Sequence, residues 1–286
     1  MVLEIKTKYN DLVGISWVDH NHDCSPKWSN AGEVDIILQI IEDLLQNDTY
    51  KADEIGADFI ATGHYAQITS VNSKAQIMRG VDLLKDQSYM LWDIKHSQLS
   101  KTIFPIGSLT KDEVREYAIK HNLETANRNE SQDLCFVMDG DYRNFLNEFM
   151  PEKMENIKNG EIQDEDGNIV GAHTGFTDYT IGQRKGLRLS FPEPRYVKKI
   201  NPITNTITIA EKKSMFSRKC ITKNINWMVS PPKIPLKAYT KIRYNSKGGY
   251  STIKKNKDKY IISFDDPQLA ITPGQSIVFY RKDTLL

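Results

Sequence analysis

The pattern of apolar and polar positions divides the chain into stretches of different texture. Residues 34–45 carry apolar positions at helical spacing, though apolar almost all round, and Asn47-Asp48 breaks the run. Ahead of it, Ile15, Trp17 and Val18 suit a short strand. From Tyr50 the pattern sharpens. Residues 51–55 complete a helix that Gly56 closes as a C-terminal glycine, and residues 58–62 read as a short buried strand ending in Gly63-His64-Tyr65. That succession predicts half of an α/β unit, in which ligands gather at the carboxyl ends of the strands. Farther on, Thr110 followed by Glu113 forms a capping box at the head of a helix. Another helix is predicted over residues 141–150, with Tyr142, Phe145, Leu146 and Phe149 on one face and Pro151 as its end.

Between Asn159 and Ile200 glycines and short polar runs take over, and Asp164-Glu165-Asp166-Gly167-Asn168 predicts a hairpin turn. Beyond Asn201, alternating segments at residues 206–210, 238–244 and 276–280 predict a small β-barrel or sandwich. The expected organisation is therefore an unmatched opening (1–50), a partial α/β domain (51–150), a central domain (151–200) and a C-terminal β-barrel (201–286).

Composition narrows the class without naming it. In a chain of 286 residues, 39% hydrophobic and 26% charged content is that of a soluble protein, and no apolar run approaches the ~20 residues of a membrane span. The opening Met1-Val2-Leu3-Glu4-Ile5-Lys6 is no signal peptide, so the expected compartment is the cytoplasm. Cys24, Cys135 and Cys220 are too scattered for a disulfide framework or a CxxC zinc site. Asp19-His20-Asn21-His22-Asp23-Cys24 resembles a metal cluster only in composition, since adjacent side chains diverge, and no metal is expected there. With a net charge of +1, any nucleic-acid contact must come from local patches such as Lys198-Lys199, Lys212-Lys213 and Lys254-Lys255-Asn256-Lys257, each of which reads equally as a solvated face.

Three runs carry candidate chemistry. Cys135 beside Phe136 and Val137 reads by itself more readily as a buried core thiol than as a nucleophile, although the polar run Arg128-Asn129-Glu130-Ser131-Gln132-Asp133 before it fits a partly exposed loop in which a thiol could react. In Ala61-Thr62-Gly63-His64-Tyr65, Gly63 lets backbone N–H groups approach a phosphate. As bare sequence Lys85-Asp86-Gln87-Ser88-Tyr89 is a polar loop, though its lysine would suit phosphate and its amide and carboxylate base or ribose edges. Arg243-Tyr244 adds a cation beside a stacking ring.

Taken with Gly171-Ala172-His173-Thr174-Gly175, Tyr179-Thr180-Ile181-Gly182-Gln183-Arg184-Lys185-Gly186-Leu187 and Thr272-Pro273-Gly274-Gln275, these runs resemble the bacterial tRNA-specific 2-thiouridylases from Lys51 to about Arg281. The resemblance implies an adenine-nucleotide hydrolase-like α/β domain, present here as a remnant, followed by a small central domain and a C-terminal β-barrel. It implies ATP-dependent transfer of persulfide sulfur to C2 of the wobble uridine of tRNA, with Cys135 as sulfur carrier. Gly63 would line the ATP site, with Mg²⁺ accompanying the nucleotide. His64, Lys85, Asp86, Gln87, Arg243, Tyr244 and Gln275 would face the tRNA. The implied partners are tRNA and a protein that loads the persulfide, with no membrane.

The chain also departs from that family. It contains no Ser-Gly-Gly-x-Asp-Ser phosphate loop, Cys24 lacks the Asn-Pro-x-x-x-Cys-Asn setting of the family's second cysteine, and no glycine-rich run follows Leu285-Leu286. Without such a loop the activation step lacks its electrostatic cradle, and without a resolving thiol the last step lacks its partner. Two alternatives therefore stand beside the enzyme: a non-catalytic tRNA-binding remnant, and one half of a split enzyme.

Overall fold

A computed structural model describes Ala52, residues 56–123, Ala126, residues 151–157 and residues 159–286. Four expectations lie outside these residues: the helix over 51–55, of which Ala52 alone is described, the helix over 141–150, the elements before Tyr50 and the loop around Cys135.

Gly56 has φ +72°, and the N–H of Ala57 donates to the carbonyl of Ala52 at 2.8 Å, the closure that a glycine at the end of a helix permits. The strand expected over residues 58–62 is shorter, as β1 (Ile60–Ala61), and is not buried. It pairs in parallel with β4 (Thr102–Ile103), its one described neighbour, and Phe59 beside it is 46% exposed.

Next come β2 (Ala66–Val71) and β3 (Lys74–Arg79), a hairpin that the apolar pattern did not predict and whose turn residues Asn72 and Ser73 have φ +50° and +60°. Positive φ at both turn positions matches the twist of two antiparallel strands. This hairpin is built into a large sheet with β9 (Phe216–Thr222), β10 (Leu236–Lys241), β11 (Gly249–Asn256), β12 (Lys259–Leu269), β13 (Val278–Arg281) and β14 (Thr284–Leu285), in the order β2-β3-β14-β13-β10-β11-β12-β9. One core serves both ends of the chain. Ala66, Ile77, Tyr89, Leu91, Leu99 and Phe104 pack with Met228, Val278, Tyr280 and Leu285. A second core lies within the C-terminal strands, around Ile253, Ile262, Phe264 and Phe279.

The central region is a four-stranded sheet ordered β6-β5-β8-β7, formed by β5 (Gly160–Gln163), β6 (Ile169–His173), β7 (Arg195–Asn201) and β8 (Thr206–Glu211). Its core holds Ile162, Val197, Ile207 and Ile209. The predicted turn at 164–168 joins β5 to β6, and Asp164 Oδ1 accepts the N–H groups of Asp166 at 3.0 Å and Asn168 at 2.8 Å. Residues 206–210, read from sequence as a barrel strand, belong to this sheet instead. They pair in parallel with β5 and antiparallel with β7, and β9 of the larger sheet begins only at Phe216.

Two described helices bear on the sequence reading. Lys111–Lys120 carries the predicted box, with the Glu113 N–H donating to Thr110 Oγ1 at 3.3 Å and the Thr110 N–H donating to Glu113 Oε2 at 2.7 Å. The other spans Pro151–Asn156, which places Pro151 in a helical turn, while the helix it was expected to end lies outside the described residues. Proline is compatible with a first turn, whose N–H groups have no partner inside the helix. Among the described residues no helix is long and apolar enough to cross a membrane.

Candidate functional site

The strand β1 delivers the chain into the turn Gly63-His64-Tyr65, anchored by the Thr62 N–H on the Ile103 carbonyl at 3.0 Å. A Cβ placed on Gly63 would meet no atom of the described residues within 4 Å, so the described packing does not itself demand glycine at this exposed turn. His64 turns inward. Its Nδ1 shares a 2.7 Å hydrogen bond with Thr62 Oγ1, its ring meets Phe104 edge-on at 6.0 Å, and burial holds its pKa below the usual histidine value.

Tyr65 ties this turn to the Lys85–Tyr89 loop by two bonds in opposite directions. The Tyr65 N–H donates to Gln87 Oε1 at 3.0 Å, and the Gln87 N–H donates to the Tyr65 carbonyl at 2.9 Å. The loop itself is shaped by Asp86, which is buried and whose Oδ1 accepts the N–H groups of Gly80 and Ser88, each at 3.1 Å. Gly80 is required by close approach, since a Cβ there would lie 2.7 Å from the Tyr65 carbonyl oxygen. Asp82, unremarked in the sequence, accepts the backbone N–H groups of Leu84, Lys85 and Lys111, and chiefly the Lys111 bond lowers its pKa. It thereby fixes the approach to Lys85.

The same loop reaches the C-terminal strands. Tyr89 Oη donates to the Ser276 carbonyl at 2.8 Å, its ring lies 6.3 Å from that of Tyr244, and Ser88 Oγ lies 3.1 Å from Tyr280 Oη. Burial pushes the Tyr89 phenol up to about 12, against a smaller opposing effect of Arg243. Arg243 is largely committed to its own chain: Nη2 donates to the carbonyls of Ile181 at 3.1 Å and Ala270 at 2.8 Å and to Thr272 Oγ1. It straps the Gly182 turn of the central region to the 270–272 segment. Gln275 follows, its N–H donating to the Thr272 carbonyl at 3.3 Å and its side chain exposed on the rim of a cavity of about 740 Å³.

Three comparisons with family models match successive parts of the chain: a tRNA methyl transferase HUP domain over residues 42–139, a tRNA methyl transferase PRC-barrel domain over 143–211, and an aminomethyltransferase beta-barrel domain over 217–286. Among curated relatives, the tRNA-specific 2-thiouridylase MnmA of Chlorobium phaeobacteroides is 43% identical over 237 residues, covering 82% of this chain and 66% of the relative. That of Carboxydothermus hydrogenoformans is 44% identical over 241 residues, covering 82% and 65%. That of Clostridium perfringens is 39% identical over 248 residues, covering 86% and 67%. The chain belongs to the tRNA-specific 2-thiouridylase family. It spans about two thirds of the length of these relatives.

Within the 2-thiouridylase frame, a HUP domain, a central PRC-barrel domain and a C-terminal β-barrel follow one another along the chain. Of the expected site residues, Gly63, His64, Lys85, Asp86, Gln87, Arg243, Tyr244 and Gln275 come from segments that the structure joins, whereas Cys135 lies outside the described residues. Cys220 is half-buried, and burial pushes its thiol up to about 11, the opposite of an activated cysteine. Two of the basic runs are partly neutralised, Lys198 by Glu165 at 2.6 Å and Lys213 by Glu211 at 2.8 Å. In the central family run, Gln183 builds its own turn, accepting the Thr180 N–H and donating to the Lys185 carbonyl, and leaves Arg184 and Lys185 exposed.

Proposed function

We propose that this chain serves the 2-thiolation of tRNA, holding the tRNA on the surface formed by Gly63–Tyr65, Lys85–Tyr89, Lys241–Tyr244 and Gln275, and carrying the sulfur on Cys135. One observation supports this reading above the others. Runs separated by 22 residues (Tyr65 to Gln87) and by 187 residues (Tyr89 to Ser276) are hydrogen-bonded into a single surface. It presents lysine donors, amide groups and a tyrosine ring, which are the groups that engage an unstacked nucleotide and its phosphates.

Within this proposal the residues divide their work. Gln87 and Asp86 act first on the protein, fixing the loop through Tyr65, Gly80 and Ser88, so that Lys85 and the outer face of the loop meet the RNA in a set geometry. Neutral His64, held by Thr62 and Phe104, offers its remaining ring nitrogen without a charge to desolvate. Among the described residues nothing crowds Gly63, which fits a nucleotide phosphate beside the end of β1. ATP bound there would supply the group that makes the uridine O2 depart. The outer sulfur of a Cys135 persulfide would then form the new bond to C2, and a second thiol would release it by closing a disulfide with Cys135. That second thiol, and the loop that would cradle the ATP phosphates, are not assigned to residues of this sequence.

The same joined surface supports a second reading, a chain that holds tRNA without modifying it. Mass spectrometry of 2-thiouridine in tRNA separates the two, using cells that lack their own 2-thiouridylase and express this chain. Sulfur transfer predicts restored 2-thiouridine that disappears again with Cys135→Ser. Soluble protein with no 2-thiouridine rejects sulfur transfer and leaves the holding function.

A further inference from the structure

Lys241 is the last residue of β10, paired with Val278 of β13, and sits half-buried beside the Lys85–Tyr89 loop. Its Nζ lies 5.9 Å from the centre of the Tyr89 ring and 5.7 Å from that of Tyr244. Two aromatic faces thus hold the ammonium group in place. Yet among the described residues Nζ has neither a hydrogen bond nor an ion pair, unlike Lys198, Lys213 and Lys237, which each meet a carboxylate within 2.8 Å. Oδ1 of the nearby carboxylate, Asp86, accepts the amides of Gly80 and Ser88, and no ion pair joins that carboxylate to Nζ. Burial lowers the Lys241 pKa, Asp86 opposes that shift, and Arg79 adds to it.

Arg243, two residues on, spends Nη2 on three acceptors of its own chain. Among the described residues, Lys241 is thus a cation at this surface whose donors are all uncommitted, whereas Arg79 next to it lies against the rings of Tyr280 and Tyr239. An ammonium has three donors and no acceptor, which suits it to a phosphate oxygen as a point charge. It is also already partly desolvated and positioned by the fold, so pairing with an anion orders little that was free.

We propose that Lys241 binds a backbone phosphate of the tRNA, a contact beside those expected of Lys85, Gln87 and Tyr244. The inference rests on the tRNA-holding reading, and the test distinguishes the failure of each. Binding of an unmodified tRNA transcript to the full chain is followed by fluorescence anisotropy across a salt series, for the native protein, Lys241→Met and Lys241→Arg. Lys241→Met, which keeps the unbranched apolar stem, is expected to bind about tenfold more weakly, with the slope of log affinity against log salt reduced by about one, while Lys241→Arg keeps the native slope. Its melting temperature is expected to equal or exceed the native value, since the change removes a desolvated charge. A Lys241→Met protein with native affinity and slope overturns the inference while leaving tRNA binding intact. Native protein that binds no tRNA at low salt overturns the holding function and the inference together. Should Lys241→Met fail to fold, acetylation of the native chain decides: tRNA is expected to protect Lys241 from acetic anhydride, as read by peptide mass spectrometry, and unchanged labelling overturns the proposal.

Discussion

Asp86 is a carboxylate that the family resemblance points outward, at RNA, and that the structure turns inward onto two backbone amides. Removing it as Asp86→Ala would orphan the buried N–H groups of Gly80 and Ser88, a loss of about 1–3 kcal/mol in unfolding free energy that urea titration would register. Asp86→Asn, which keeps one carbonyl oxygen for those donors, is expected to lose less. His64 gives a pH prediction of defined sign. Its folded pKa lies below the unfolded value, so as pH falls below about 6.5 the unfolded chain takes up the proton first and stability declines. His173, also lowered chiefly by burial, contributes in the same direction. The urea midpoint is therefore expected to drop between pH 7.5 and 5.5, and to drop less in His64→Gln, which removes only the His64 part. An equal drop in both proteins would show that His64 is not the group responsible.

At the scale of elements, what was legible in the sequence was local. The Thr110–Glu113 box and the Asp164–Asn168 turn each depend on residues within five positions of one another, and each forms as its pattern implies. Pairing was less legible. Residues 206–210 have the alternation of a strand, but nothing in that alternation tells β8 to join β5 and β7 rather than the strands that follow. The β2–β3 hairpin was missed because Asn72-Ser73 is a weaker turn signal than Asn-Gly, although both residues adopt positive φ. Two changes test the elements as described. Thr110→Ala is expected to cost about 1 kcal/mol through the lost cap. Arg243→Ala is expected to free the 179–187 turn, so that limited proteolysis cuts there faster than in the native chain, because the strap to Ile181, Ala270 and Thr272 is gone. An unchanged cleavage rate would mean that the strap does not restrain the turn.

For the molecule as a whole, the chain's described beginning and its end share one core and one sheet, with Ala66, Ile77 and Tyr89 packed against Tyr280 and Leu285. Arg79 reinforces the junction, its guanidinium 4.2 Å from the Tyr280 ring and 5.0 Å from that of Tyr239. This arrangement places the Gly63–Tyr65 turn, the Lys85–Tyr89 loop and the Lys241–Tyr244 segment side by side. The resemblance names most of these residues in order along the chain, but their convergence, and the roles of Asp82, Tyr89 and Lys241, emerge only from contacts across long sequence separations. Photo-crosslinking of the full chain to a tRNA carrying 4-thiouridine in its anticodon loop, with the attached peptides mapped by mass spectrometry, tests that convergence most directly. Adducts are predicted on peptides containing residues 63–65, 85–89, 241–244 and 275. Adducts confined to the Lys254–Lys257 hairpin, or spread evenly over the exposed lysines, would contradict the account and reduce the RNA contact to general charge.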